Sequence, residues 1–219
     1  MRIDILTLFP NMFDGFLTES IMKRAIKKEK VKINIIDIRD YTPYKNNQVD
    51  DYQFGGGGGM IMMCEPVFNA VESIRTEDST VILLTPRGQT YNESKAYELK
   101  DKKHLIIICG HYEGFDERIY TLADELVSIG NFILTGGELP AMMITDSLVR
   151  LIDGVITSTS LEYESFNDNL LDYPVYTKPR EFRGMEVPEV LLNGNHKLIN
   201  EYRESERKRI TQKYRKDLL

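Results

Sequence analysis

Cysteine is scarce in this chain of 219 residues, which holds only Cys64 and Cys109. Two cysteines are too few for a disulfide scaffold or a zinc site, and no apolar run approaches the roughly 20 residues of a membrane span. The N-terminal stretch MRIDILTLFP alternates like a β-strand and lacks the apolar core of a signal peptide. These absences predict a globular protein of the cytosol that makes no membrane contact, and 42% hydrophobic with 28% charged residues is typical of that class.

Two nucleotide-binding motifs are also missing. The first predicted strand is followed by Pro10-Asn11-Met12-Phe13 rather than by GxGxxG, which disfavours a nicotinamide or flavin site at the usual place. The sequence contains no GxxxxGKS/T, so a phosphate-cradling P-loop is excluded as well.

Excess positive charge is confined to the C-terminal end. The chain has a net charge of −6, whereas residues 178–219 hold eleven Lys and Arg against seven Asp and Glu. A basic segment on an acidic body indicates contact with a polyanion. A solvated helix of mixed charge explains the same pattern equally well, so charge alone leaves both interpretations open.

Apolar runs bounded by turn residues alternate with helical patterns along the chain. The predicted strands are Ile3–Phe9, Lys32–Ile38, Thr80–Thr85, His104–Cys109, Glu125–Ile129 and Phe132–Leu134. The predicted helices are Glu19–Lys28, Glu65–Arg75, Glu93–Leu99, Asp116–Ala123, Pro140–Ile152, Pro188–Asn193 and His196–Lys216. The pattern predicts an α/β body with a mostly parallel sheet at 1–153, a mobile linker at 154–179 and a small helical C-terminal domain at 180–219.

Glycine-bearing segments follow the predicted strands. They are Pro86-Arg87-Gly88, Gly110-His111-Tyr112-Glu113-Gly114, Ser128-Ile129-Gly130 and Leu134-Thr135-Gly136-Gly137-Glu138-Leu139-Pro140. Because ligands of open α/β sheets bind at the carboxyl ends of strands, four such segments together predict a pocket with backbone walls, suited to a planar ring. Tight turns would explain any one of them alone. Few basic residues lie near them, which favours a cofactor without phosphates.

A run of five glycines stands in FGGGGGMIMM, residues 54–63. A bare glycine run is usually a flexible linker, and glycine also permits a ligand to approach the backbone closely. Linkers mix glycine with serine and other polar residues, whereas this run has Phe54 before it and Met60-Ile61-Met62-Met63 after it. The apolar flanks favour a packed loop.

These motifs carry a family resemblance. FGGGGGMIMM, LLTPRGQ, CGHYEGFDERI, SIGNFILTGGELPAMMITDSLVR, ESFNDNLLDYPVYTKP and GMEVPEVLLNGNHKLI follow one another in this order. Together they closely resemble the bacterial tRNA (guanine-N1)-methyltransferases, the TrmD family of the SPOUT superfamily, over the whole chain. The resemblance implies a deep trefoil knot in the α/β domain and a homodimer with active sites at the subunit interface. It also implies methyl transfer from S-adenosyl-L-methionine to N1 of the tRNA guanosine immediately 3′ of the anticodon, a guanosine that follows another guanosine.

The resemblance also implies a set of binding residues. The cofactor pocket would be formed by Leu84, Thr85, Pro86, Gly110, Tyr112, Glu113, Ser128, Ile129, Gly130, Phe132, Leu134, Gly136, Gly137 and Pro140. The glycine-rich loop would lie beside the substrate, with Gly59 as an RNA contact. The family usually has proline where this chain has Gly58, a change that should loosen the loop. The basic residues Lys197, Arg203, Arg207, Lys208, Arg209, Lys213, Arg215 and Lys216 would contact tRNA phosphates.

The resemblance further implies the catalytic residues. An aspartate of the partner subunit, in an Asp-Ser-Phe stretch, acts as the base in the family, and this chain has Glu164-Ser165-Phe166 there. Glu164 is therefore the expected base, Asp172 the second candidate, and Arg150 the cation that stabilises negative charge on O6. Asp50 would lie near the substrate loop in an unspecified role. The family is associated with Mg²⁺, for which Glu113 is the expected acidic group, although nothing here has metal-ligand spacing.

Taken without the family, these side chains have ordinary explanations. Glu164 would be a solvated carboxylate in an acidic loop, and Arg150 would be a helix-end arginine interacting with the helix dipole. Two rival functions stay open at this point. One is an RNA-binding protein without catalysis, and the other is a related SPOUT methyltransferase that acts on a different RNA or on a ribose hydroxyl.

Overall fold

A parallel sheet forms the centre of the larger of two compact units. The computed structural model describes residues 1–157, 161 and 164–219, and these residues divide into Met1–Ile156 and Thr157–Leu219. The strands of the sheet are β1 (Arg2–Thr7), β2 (Lys32–Asp37), β5 (Ser79–Thr90), β6 (His104–Ile108) and β7 (Glu125–Ser128). Their order is β2-β1-β6-β5-β7, and every neighbouring pair runs parallel. The predicted mostly parallel α/β sheet is confirmed.

Helices cover the sheet. They are α1 (Asp14–Thr18), α2 (Ser20–Lys27), α3 (Cys64–Ile74), α4 (Glu93–Leu99) and α5 (Glu138–Val149), together with the 3₁₀ helices Pro10–Phe13, Ile38–Tyr41, Lys45–Asn47 and Glu117–Leu122. Helix α3 packs against two of these 3₁₀ helices, and α5 packs against α2, α4 and β1. No helix among the described residues is long and apolar enough to cross a membrane.

The central strands β1 and β6 and the first half of β5 are largely buried, because both faces of the sheet are covered there. All of β6, HLIII, is buried, and β-branched side chains suit this setting. Ile106 and Ile108 pack with Val67 and Val71 of α3, while the alternate residue Ile107 points to the opposite face. The strand order inserts β6 between β1 and β5. Strand order does not define how the chain threads, so the trefoil knot stays a prediction.

A buried polar network ties the amino-terminal ends of the strands together. His104 donates or accepts on both ring nitrogens, with Nδ1 at 2.7 Å from Ser79 Oγ and Nε2 at 3.0 Å from Asp4 Oδ2. Asp4 also accepts from Asn34 Nδ2 at 2.5 Å and from Arg2 Nε at 3.1 Å. A fully buried carboxylate needs partners of this kind, so the network stabilises the register of β1, β2, β5 and β6.

The structure differs from the sequence predictions in a few elements. Phe132–Leu134 is not a strand, because its apolar side chains are exposed rather than paired into the sheet. The predicted helix Glu19–Lys28 is confirmed as α2, which spans Ser20–Lys27. A short antiparallel hairpin, β3 (Asp50–Tyr52) with β4 (Met60–Met62), was missed. In addition, the predicted helices Asp116–Ala123 and Pro188–Asn193 contain only short 3₁₀ helices.

The second unit, 157–219, is built around one long helix. It contains α6 (His196–Tyr214), the hairpin β8 (Glu181–Phe182) with β9 (Met185–Glu186), and the 3₁₀ helices Asn167–Asn169, Glu189–Leu191 and Lys216–Leu218. Asn195 caps α6 by accepting from Leu198 N. Leu171 N donates to Thr211 Oγ1 of α6 at 2.8 Å. The segment 165–173 therefore contacts α6, and its predicted role as part of a mobile linker stays a prediction.

Candidate functional site

A cavity of about 540 Å³ lies at the carboxyl ends of β5, β6 and β7, next to the start of α5. Its walls are the segments after these strands, as expected for an open α/β sheet. All fourteen residues named above for cofactor binding line it. The sequence missed further lining residues, including Arg87, His111, Phe115 and Tyr120. These neighbours stand within the same motifs, so a wider window around each motif would have included them.

Two walls of the cavity meet through a direct backbone contact. Gly137 N donates to Gly110 O at 2.8 Å. A Cβ on Gly137 would lie only 2.7 Å from Cys109 Cα and 2.8 Å from Gly110 N. The backbone of Gly137 is ordinary, with φ −83° and ψ −5°, so this glycine is required by close approach and not by conformation.

Pro86-Arg87-Gly88 is an excursion within β5 rather than a loop after it. Both Leu84 and Gln89 pair with Val127, and the residues between them bulge out of the ladder. The Arg87 guanidinium donates to the Glu117 carboxylate at 2.8 Å and lies 4.5 Å from the centre of the Tyr120 ring. Among the described residues that line the cavity, Arg87 alone carries a permanent positive charge, and that charge is already paired.

The five-glycine run connects β3 to β4 inside the first unit, so it is not a linker between domains. Its two flanks differ, because Met62 is fully buried while Phe54 is fully exposed. The packed-loop prediction is therefore right for the β4 side and wrong for the Phe54 side. Glu113 N donates to Met60 O at 3.0 Å, and Met62 N donates to Gly114 O at 2.9 Å. These bonds attach the hairpin to the cavity wall.

Asp50 lies beside the wall of the cavity, on β3. Burial raises the pKa of the Tyr112 hydroxyl, the nearby Asp50 carboxylate raises it further, and the Arg39 guanidinium opposes the effect. Tyr112 has a left-handed φ of +58°, a strained geometry for a side chain of this size. Cys109 is fully buried in the core. Burial and then the Glu138 carboxylate raise the pKa of its thiol, so Cys109 is an inert core thiol.

Arg150 lies at the far end of α5 from the cavity. The helix starts at Glu138, beside the lining residues Gly137 and Pro140. Twelve residues at about 1.5 Å each place Arg150 roughly 18 Å along the helix axis. The fold of one chain therefore does not bring Arg150 to the cavity. Its spacing from Leu139 and Met143, which are both exposed, puts it on the same helix face.

Glu164 and Asp172 belong to the second unit. Asp172 N donates to Ser165 Oγ at 3.0 Å, and Phe166 N donates to Leu170 O at 2.7 Å. The segment is thus folded on itself, which brings Ser165, next to Glu164, against Asp172. Both acidic residues are half-buried.

The basic residues of α6 differ in what they offer to a polyanion. Lys197 and Lys208 are exposed. Arg209 is exposed but forms a bidentate pair with Glu206 at 2.9 and 2.6 Å. The Arg203 guanidinium lies 4.6 Å from the centre of the Tyr173 ring. Of the remaining predicted phosphate contacts, Lys213 and Lys216 are exposed and Arg215 pairs with Asp217.

Arg207 is a special case on this helix. It is only 4% exposed and lies 3.3 Å from the Glu204 carboxylate. This burial argues against the predicted phosphate contact, because a guanidinium without solvent access does not reach a phosphate. Arg207 packs in the folded unit instead.

A metal site does not emerge from the residues that are described. Within 1–157, 161 and 164–219, no three His, Cys, Asp or Glu side chains converge as metal ligands.

Comparisons with known proteins cover the whole chain. The family model described as tRNA (Guanine-1)-methyltransferase TrmD matches residues 1–219. A tRNA (guanine-N(1)-)-methyltransferase of Ureaplasma urealyticum serovar 10 is 54% identical over 219 residues, all of this chain and 96% of the relative. Relatives of the same name from Staphylococcus aureus strain JH9 and Mycoplasma mycoides are 52% and 50% identical, over all of this chain and 91% and 92% of theirs. The chain therefore belongs to the tRNA (guanine-1)-methyltransferase TrmD family.

Proposed function

We propose that this protein is a tRNA methyltransferase that transfers the methyl group of S-adenosyl-L-methionine to N1 of the guanosine immediately 3′ of the anticodon. One observation carries the proposal beyond the family match. All fourteen residues named for cofactor binding, from four separate segments of the chain, line one cavity. We expect the reaction to take place in the cytosol, where its tRNA substrate is found.

The chemistry of the cavity suits this cofactor. S-adenosylmethionine has no phosphates, and the single permanent cation of the lining, Arg87, is already paired with Glu117. Gly110, Gly130 and Gly137 line the cavity without a Cβ, so a planar purine ring can lie close to the main chain there. Bound there, the cofactor supplies an electrophilic methyl group on a sulfonium centre.

The residues of this chain have to prepare the guanine. Guanine N1 carries a proton, and its removal moves negative charge onto O6. Glu164 is the proposed base, and help of this kind is worth ~10²–10⁴-fold in rate. Arg150 is the proposed cation at O6, since a guanidinium is always charged. Asp172 is the second candidate for the base, and Asp50 is proposed to lie near the bound substrate, beside Tyr112.

A second copy of the chain would complete the site. Leu139 and Met143 are exposed apolar side chains on the face of α5 that also carries Arg150. These exposed apolar side chains support a contact surface on this face of α5. Two α5 helices packed antiparallel about a two-fold axis would set the Arg150 end of one against the cavity end of the other. We therefore propose a homodimer with two shared active sites.

Recognition of tRNA is proposed for the exposed cations of α6, above all Lys197 and Lys208. Gly59 is the proposed RNA contact on the first unit. The target base has to leave its stack to reach the methyl group. No step is assigned to Mg²⁺.

Transfer of labelled methyl to two tRNA transcripts tests the reaction. One transcript carries guanosine immediately 3′ of the anticodon, the other carries adenosine there, and the product nucleoside is identified. We expect 1-methylguanosine on the first transcript alone. Cofactor binding without transfer to either transcript would refute the proposed substrate.

Subunit mixing tests the shared site. Arg150→Ala and the cavity-filling Ile129→Trp should each inactivate the homodimer. An equal mixture should recover about a quarter of wild-type activity, because half of the dimers are mixed and each has one intact site. No recovery, with exchange of subunits verified, would place Arg150 and the cavity in the same chain.

Glu164→Gln should lower the rate at saturating substrate, whereas an unchanged rate would transfer the base role to Asp172.

A further inference from the structure

Glu138 is a buried carboxylate that the proposed chemistry does not use. It is the first residue of α5 and only 2% exposed. Its Oε1 accepts a hydrogen bond from Thr7 Oγ1 at 2.8 Å, and the start of a helix favours negative charge. A buried carboxylate needs a full set of partners, and Thr7 satisfies only one of its two oxygens.

The side chain that faces Glu138 is His111, which has a buried ring nitrogen without a hydrogen-bond partner in the described part of the chain. Its ring packs between Phe9 and Tyr112, at centroid distances of 4.6 and 5.0 Å. Its Nδ1 is buried and has no hydrogen-bond partner among the described residues. The same atom lies 3.9 Å from Glu138 Oε2. A movement of about 1 Å would make a charge-assisted hydrogen bond.

Gly136 leaves the space between these two groups open. A Cβ there would lie 2.6 Å from His111 Nδ1 and closer still to Glu138 Oε2. His111 and Gly136 belong to two different walls of the cavity. Glu138 stands directly behind both walls, so a bond to His111 would connect them.

We propose that Glu138 is a positioning residue that accepts a hydrogen bond from Nδ1–H of His111 and thereby holds the two cavity walls together. The two atoms are 3.9 Å apart in the structure, and a side-chain movement of about 1 Å that needs no ligand forms the bond. The role in cofactor binding rests on the proposed function, whereas the hydrogen bond itself does not.

The two hydrogen bonds of Thr7 determine what the variant Glu138→Gln would present to His111. Thr7 Oγ1 accepts from Phe9 N at 2.9 Å, and its single proton goes to Glu138. In Glu138→Gln the orientation that keeps this proton paired has the amide oxygen facing Thr7, which leaves the amide NH₂ facing His111. The imidazole should then change from the Nδ1–H to the Nε2–H form. Glu138→Asp keeps an acceptor and should keep Nδ1–H.

Imidazole ¹⁵N NMR reads the tautomer directly. The chain has three histidines, and His111→Phe, which keeps an aromatic ring in the stack, identifies the His111 signals. We expect Nδ1–H in the wild type and in Glu138→Asp, and Nε2–H in Glu138→Gln. His104, bonded to Ser79 and Asp4, is the internal control for an intact fold. A His111 that stays in one tautomer in all three proteins would overturn the proposal.

Calorimetry with S-adenosylmethionine measures the consequence. Glu138→Gln and His111→Phe should each weaken binding roughly ten-fold, as for loss of one charge-assisted hydrogen bond. The double variant should be no weaker than either single one, because both remove the same interaction. Affinities within two-fold of the wild type would overturn the positioning role. Failure of the wild type itself to bind, with the tautomers as expected, would instead refute the proposed cofactor.

Discussion

Gly137→Ala is the most direct test of the close backbone approach at the cavity. The new Cβ would meet Cys109 Cα at 2.7 Å, Gly110 N at 2.8 Å and Cys109 C at 3.1 Å. These are main-chain atoms that cannot rotate away. Residues 110–112, which line the cavity, must therefore move, and the 2.8 Å hydrogen bond from Gly137 N to Gly110 O must lengthen. Overpacking costs about 1–3 kcal/mol and a lost hydrogen bond about 1 kcal/mol, so the free energy of unfolding should fall by about 2–4 kcal/mol.

Urea unfolding and cofactor calorimetry measure the two consequences of this substitution. Gly15→Ala is the matched control, because a Cβ at Gly15 meets nothing within 4 Å and helix α1 tolerates alanine. We expect Gly15→Ala to unfold like the wild type or slightly later. The reasoning is refuted if Gly137→Ala shows the same urea midpoint and the same cofactor affinity as the wild type, since the wall then adapts at no cost.

Three further predictions concern other parts of the chain. Burial raises the pKa of Tyr91 to about 12, whereas its pKa in the unfolded chain is about 10. The stabilisation that the neutral Tyr91 provides is therefore complete below a pH of about 10 and is lost as the pH rises toward 12. Urea unfolding across that range should show a smaller loss of stability in Tyr91→Phe than in the wild type. Lys208→Ala should reduce the salt dependence of tRNA binding measured by filter binding, whereas Arg207→Ala, at a buried position, should lower the thermal midpoint instead. Gly59→Ala places a Cβ at φ +77° and should lower the free energy of unfolding by about 1–2 kcal/mol, whereas an unchanged urea midpoint would contradict the strain.

Much of the fold and of the candidate cavity could be predicted from sequence. A run such as HLIII has few alternatives to a buried strand. Once the strands are parallel, their carboxyl ends meet at one edge, so Leu84, Gly110 and Ser128 had to be neighbours although they are far apart in the chain. That is why motif-by-motif assignment recovered a coherent cavity lining.

The errors have physical causes that a linear pattern does not contain. The sequence of Phe132–Leu134 is typical of a strand, but its apolar side chains are exposed and line the cavity. Whether an apolar side chain is exposed depends on the rest of the fold. The hairpin β3–β4 was hidden because glycines separate its strands. Arg207 and Lys208 are adjacent in sequence and chemically alike, yet one is buried and the other exposed. The Glu138–His111 pair joins residues that only the folded chain brings together.

The backbone character of the cavity has a consequence for inhibition. Point mutations change side chains, whereas many of the surfaces that a ligand meets here belong to the main chain of Gly110, Gly130, Gly136 and Gly137. A resistant variant would have to add a side chain at one of these positions, and at Gly137 that side chain would collide with the backbone of Cys109. An inhibitor that contacts mainly the main chain of this cavity would lose affinity through few single substitutions.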